Sequence, residues 1–103
     1  MSNRPGQAIL KNMEFVWDPQ KAEDNIAKHG ISFSEAATAF GDPLAITYLD
    51  TDHSQDEDRY LTFGTTVNGS YVVVVHTDRS EKTRLISARR MTRRERTQYE
   101  QQY

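Results

Sequence analysis

Lys28 and His29 stand side by side directly before Gly30, Glu57 and Arg59 stand two apart, and Arg89, Arg90, Arg93, Arg94 and Arg96 crowd one short run. These residue types suit cleavage of RNA without a metal. A base takes the proton of the 2′-hydroxyl, cations hold the charge of the phosphorane, and an acid protonates the departing 5′-oxygen. The need for a 2′-hydroxyl confines that reaction to RNA. Lys28 and His29 can supply a cation and a base, and Glu57 and Arg59 a base and a phosphate clamp. Arg93 and Arg94 fall where a helix should begin, a position that disfavours cations unless an anion sits there, so phosphate or an acidic partner is their natural occupant.

Each candidate also has a plainer reading. Basic residues at Lys28 and His29 suit the C-terminal end of a helix dipole. Arg59 can pair with Asp78 or Glu57 as an ordinary surface charge. His76 reads as a packed or rim histidine, and His53, set among Asp50, Asp52 and Asp56, as a solvated loop residue. The three histidines are too scattered to suggest a metal site, and the chain has no cysteine, no P-loop and no glycine-rich dinucleotide turn. No cofactor is expected.

The elements that must position these residues centre on Arg59 to Met91. Asn68-Gly69 lies between two runs rich in Val, Thr, Tyr and Phe and predicts a two-residue type I′ hairpin. That turn pairs Phe63 with Val74 and Leu61 with His76, which puts Leu61, Phe63, Val72, Val74 and His76 on one face. Tyr71 to Val75 is apolar on both faces and belongs inside a sheet. A third strand, Thr83 to Met91, follows a polar loop at 78–82, and a slip of one residue there exchanges Arg89 for Arg90 on a given face.

Upstream, residues 1–12 show no sustained period and read as a flexible tail, with a single domain over 13–103. Glu14 to Trp17 predicts a strand. Asp18-Pro19 opens a helix that runs to His29, closes on Gly30, and buries Ala22, Ile26 and His29. Ser32 and Glu35 form a capping box with Ile31 and Ala36 as its hydrophobic staple, ahead of a second helix burying Phe33, Ala36, Ala37 and Phe40. Leu44 to Leu49 predicts another strand, leading into the acidic loop of residues 50–58. Thr92 and Glu95 form a capping box for a C-terminal helix whose only large anchors are Tyr99 and Tyr103.

With 103 residues, 36% hydrophobic and 27% charged, the chain can build one lean core. The net charge of −2 divides into −7 over residues 1–58 and +5 over 59–103. A basic C-terminal half is the footprint expected of a phosphate-binding face. No apolar run approaches a membrane span, and the composition suits a soluble protein of the cytoplasm.

A set of residues in fixed order resembles the BrnT family: Trp17-Asp18-Pro19, Asn25, Lys28-His29-Gly30, Phe33, Glu35-Ala36, Phe40, Asp42-Pro43, His53-Ser54, Glu57, Arg59, Gly64, Thr77, Arg79, Ile86-Ser87-Ala88-Arg89, Glu95 and Tyr99. The resemblance implies an α+β, RelE-like fold, with short helices packed on a twisted, mainly antiparallel sheet and a C-terminal helix. It implies a toxin of a bacterial type II toxin-antitoxin system, an endoribonuclease that slows translation and growth. Its partner would be a BrnA-like antitoxin with a ribbon-helix-helix domain, through which alone the toxin meets operator DNA. Carried onto this chain, Lys28, His29, Glu57, Arg59 and Arg89 become the catalytic set, with Arg59 and Arg89 on the phosphorane and Glu57 or His29 as base. Arg79, Arg90, Arg93 and Arg94 become RNA-binding residues. The chain departs from the pattern at His76, where the family leads one to expect a tyrosine. The alternative is a non-catalytic RelE-like module that binds an antitoxin and acts as co-repressor of its own operon.

Overall fold

The structure, a computed structural model, describes residues 6–10, 12–54 and 57–102. Six strands form one mixed sheet in the order β1-β2-β6-β5-β4-β3, where β1 is Gln7–Leu10, β2 Met13–Val16, β3 Ile46–Leu49, β4 Tyr60–Thr65, β5 Tyr71–Arg79 and β6 Lys82–Arg90. Every neighbouring pair is antiparallel except β2 with β6. Helices α1, Pro19–His29, and α2, Phe33–Thr38, cover one face, and α3, Arg93–Glu100, packs on the other. The α+β architecture is the expected one.

The core lies under α1 and α2. Phe15, Val72, Val74, Leu85 and Ala88 of the sheet meet Ile31, Phe33, Ala36, Ala37 and Ala39, all buried. Asp18 caps α1, Gly30 closes it in the left-handed conformation, and the Thr92–Glu95 capping box is complete. At Ser32 only half of the expected box forms. The Ser32 hydroxyl accepts the Glu35 amide, but the Glu35 carboxylate turns away to accept the Thr66 hydroxyl at 2.9 Å.

That contact explains why the central hairpin differs from its expected register. Phe63 faces Val73 and Leu61 faces Val75, one residue off the pairing a two-residue turn would give. The loop is three residues, Val67–Gly69. Gly69 alone among them takes a positive φ, 85°, as in a type I turn closed by a glycine bulge. Thr66 accepts the Gly69 and Ser70 amides, and Thr38 of α2 takes the Val67 amide at 3.0 Å, so the second helix holds the wider turn. Every side chain of β4 changes face relative to β5: Thr62 and Gly64 lie with Val72, Val74 and His76, while Leu61 and Phe63 lie with Val73 and Val75. Gly64 is required there, because a Cβ would stand 2.9 Å from the Ala39 carbonyl oxygen. The two-residue turn with two positive φ angles sits instead at Ser80-Glu81, between Arg79 and Lys82.

Two further expectations change. Gln7–Leu10, inside the stretch read as a tail, pairs with β2. In α1 the buried residue is Asn25, whereas Ile26 is half exposed. Beyond β2 the edge of β6 has no strand neighbour among the described residues, and Asn25 supplies its hydrogen bonds: Nδ2 donates to Ala88 O at 2.9 Å and Oδ1 accepts from Ala88 N at 3.0 Å. A second Nδ2 hydrogen bond, to Ile31 O, fixes the chain between α1 and α2. Tyr103 and residues 1–5, parts of the expected helix anchor and tail, lie outside the described residues.

Candidate active site

The Asn25 attachment sets α1 along the edge of β6, so its last turn overhangs that strand. There β6 carries a bulge: Val75 faces Ser87, His76 faces Leu85, and Ile86 is the extra residue. Bulges of this kind often lie beside active sites, where they re-aim side chains. A groove of about 170 Å³ opens at this point, lined by Lys21, Asp24, Asn25, Lys28, His29, Ile86 and Ser87. Lys28 is exposed and His29 half-buried. The predicted cation and base are therefore brought together, and they are joined by Ser87, one of the family-pattern residues, and by Lys21, which the sequence did not single out.

Glu57 and Arg79 meet in a second cluster. The Glu57 carboxylate takes a hydrogen bond from Arg79 at 3.0 Å and lies 3.9 Å from Arg84. Arg84 faces Thr77 in the middle of a strand pair and went unnoticed as a candidate. Two cations share one carboxylate, which leaves a net positive cluster. Arg59 enters β4 just beside it, its backbone fixed by Asp50 N at 2.7 Å and by the Ser54 hydroxyl at 3.0 Å. No carboxylate among the described residues pairs with its guanidinium, so the expected surface pair with Asp78 or Glu57 does not form. His53 is exposed as expected, but its Nδ1 lies 3.0 Å from Asp50 Oδ2.

The third group is held apart. Arg89 faces Val73 and grips Glu95 of α3 with two hydrogen bonds, at 2.7 and 2.9 Å. This contact holds the Glu95 carboxyl down at about 2 and pushes the Arg89 guanidinium above its ordinary value. Arg90 donates to the Ser70 hydroxyl, and Arg93 and Arg94 project into solvent from the first turn of α3. Arg89 shares its row with Phe63, four residues along β4 from Arg59, so the two arginines stand roughly 13 Å apart along the strands and two strands apart across the sheet. They do not converge on one phosphorus atom.

His76 is buried rather than part of any site. It stacks on Tyr60, meets Phe40 edge-on, and shares a 2.7 Å hydrogen bond between Nε2 and the Thr62 hydroxyl; burial lowers its pKa to about 4. Among the described residues no group of three His, Cys, Asp or Glu side chains is placed to hold a metal ion, and no helix is long and apolar enough to cross a membrane.

Residues 17–95 match the family model described as the ribonuclease toxin, BrnT, of type II toxin-antitoxin systems. The fold is similar to the 1.1 Å crystal structure of the Brucella abortus ribonuclease toxin BrnT, with a TM-score of 0.60, 22% sequence identity, and coverage of 77% of this chain and 96% of that one. No curated protein matches the chain. The family match spans most of the chain, from Trp17 through both cation clusters to Glu95, and the chain belongs to the BrnT family of type II toxin-antitoxin ribonuclease toxins.

Proposed function

We propose that this chain is an endoribonuclease that cleaves RNA by 2′-hydroxyl attack in the groove between the last turn of α1 and the β6 bulge. The observation that carries this reading is the meeting of Lys21, Lys28 and His29 against Ile86 and Ser87 in one solvent-open groove. His29 takes the 2′-hydroxyl proton as the 2′-oxygen attacks phosphorus. Lys21 and Lys28 stabilise the charge on the phosphorane, and the Lys28 ammonium protonates the 5′-oxygen as the P–O5′ bond breaks. The products are a 2′,3′-cyclic phosphate and a 5′-hydroxyl. Arg59, Arg79 and Arg84, around the neutralised Glu57, hold flanking phosphates. Arg90, Arg93 and Arg94 extend the basic surface at the far end of β6. Cleavage in the cytoplasm stops translation and growth, and a BrnA-like ribbon-helix-helix antitoxin neutralises the toxin and carries it to operator DNA.

The test is incubation of purified protein with naked RNA in excess chelator, wild type beside Lys28→Ala and His29→Gln, with the product ends analysed. Cyclic phosphate ends from wild type, lost by about a hundredfold in either folded variant, are the expected result. No cleavage by folded wild type on naked RNA or on ribosomes would favour the second reading, a non-catalytic module that binds its antitoxin as co-repressor. That reading draws on Arg89 being spent on Glu95 rather than open to a substrate.

A further inference from the structure

Among the described residues the sheet ends at β3, whose outer backbone edge faces no other strand. Its sequence is Ile46-Thr47-Tyr48-Leu49, with neither a charge nor a proline to deter pairing, and Tyr48 and Leu49 are each about half exposed. An edge strand that carries neither a charge nor a proline is a template for another strand. Next to it, on the face that carries α3, Ile46, Tyr48, Leu61 and Phe63 form the floor of a groove of about 260 Å³ walled by α3. Because Ile46 and Tyr48 point to this side of β3, alternate side chains of a strand added along the edge would enter the groove.

Charge decides what kind of strand. Asp42 precedes β3, and Asp50 and Asp52 follow it. A second copy pairing antiparallel about a two-fold axis would set Asp50 and Asp52 of each copy beside the Asp42 turn of the other, like charge against like. A segment with Lys or Arg flanking its apolar residues meets the acidic ends favourably. We infer that β3 is where the antitoxin docks, through an extended segment that adds as a seventh strand, sets alternate apolar side chains over Tyr48 and Phe63, and places basic residues beside Asp50 and Asp52. This inference rests on the reading that the chain is a toxin held by a protein antitoxin.

The test uses the full chain and the antitoxin encoded in the same operon, with affinity and hydrogen–deuterium exchange measured for wild type, Tyr48→Asp and Val67→Asp. Val67 is exposed at the far hairpin and serves as the control. The inference expects amides 46–49 to become protected in the complex, affinity to fall about tenfold or more in Tyr48→Asp only, and RNA cleavage by free Tyr48→Asp to match wild type. Tight binding by Tyr48→Asp, or unprotected β3 amides in a formed complex, would overturn the docking site and leave the toxin reading standing. Failure of the antitoxin to bind wild type would overturn both. A Tyr48-dependent dimer of the chain alone would show that a second copy is the occupant.

Discussion

Arg89 holds Glu95 with two parallel hydrogen bonds, and the Glu95 oxygen nearest it also accepts the Thr92 amide at 2.8 Å. One carboxylate thereby joins the end of β6 to the first turn of α3. The helix is otherwise polar, and besides this clasp it is attached through Tyr99, whose hydroxyl donates to Asp42, through Arg96 stacked over Tyr71, and through Glu100, which accepts the Tyr71 hydroxyl. Glu95→Ala, which also removes the Thr92 cap, should therefore destabilise the fold more than Arg89→Ala does, with a coupling of about 1 kcal/mol in a double-mutant cycle because the pair is partly exposed. Both variants should cleave RNA alike per folded molecule. Loss of cleavage in Arg89→Ala alone would instead mean that Arg89 touches the phosphate.

The low pH stability of the fold should depend on His76. An unfolded histidine binds its proton near 6.5, and the buried His76 only near 4. Between those values the unfolded chain holds more protons, so stability rises with pH across the window and is lost as pH falls through it. The loss by pH 4 should reach about 3 kcal/mol. Urea unfolding of wild type and His76→Phe at several pH values measures it, and the variant should lack that slope. The Glu95 contribution falls lower, present above 4.5 and lost as pH drops toward 2, so the two separate on the pH axis.

How much of this was legible in the sequence depended on how local each signal was. The caps at Asp18, Gly30 and Thr92, the buried Phe33, Ala36 and Ala37, and the helix-on-sheet class all follow from spacing within a few residues. The hairpin register did not, because Asn-Gly serves a two-residue turn or a glycine bulge equally well and Thr38, far off in sequence, decides between them. Ser80-Glu81 carries no turn signature, yet its strands impose the positive φ angles. For the candidate site, Lys28 and His29 were found as a pair, but the separation of Arg59 from Arg89 and the hold of Glu95 on Arg89 depend on register and on α3, and Arg84 is hidden as one strand residue among many.

Asn25 should be among the most sensitive polar positions. Its amide replaces a strand neighbour for Ala88 and also reaches Ile31 O, and the site is 5% exposed. Asn25→Ala strands a buried N–H and two carbonyls, at a cost of roughly 2 kcal/mol or more. Asn25→Asp keeps the acceptor for Ala88 N but loses both donations, and should be no better. Urea midpoints report the stability. Because α1 is set against β6 by this residue, cleavage should fall further than the folded fraction does.

Arg59 separates substrate binding from stability. Its guanidinium has no carboxylate partner among the described residues, so Arg59→Ala removes no ion pair and should leave the urea midpoint within about 0.5 kcal/mol of wild type. If the side chain holds a phosphate, affinity for single-stranded RNA must drop, and the slope of log affinity against log salt must become shallower by about 0.7 for the contact removed. Arg79→Ala is the informative companion, because it also frees Glu57 to face Arg84 alone. The cluster then holds one cation against one carboxylate, so Arg79→Ala should also weaken RNA binding, though by less than Arg59→Ala, because Arg79 is already paired with Glu57 whereas Arg59 is not. Adding Glu57→Gln to it should recover part of the loss. Filter binding across a salt series with an uncleavable 2′-deoxy-substituted RNA measures all three variants, and equal affinity for wild type and Arg59→Ala at low salt would remove Arg59 from the RNA-binding surface.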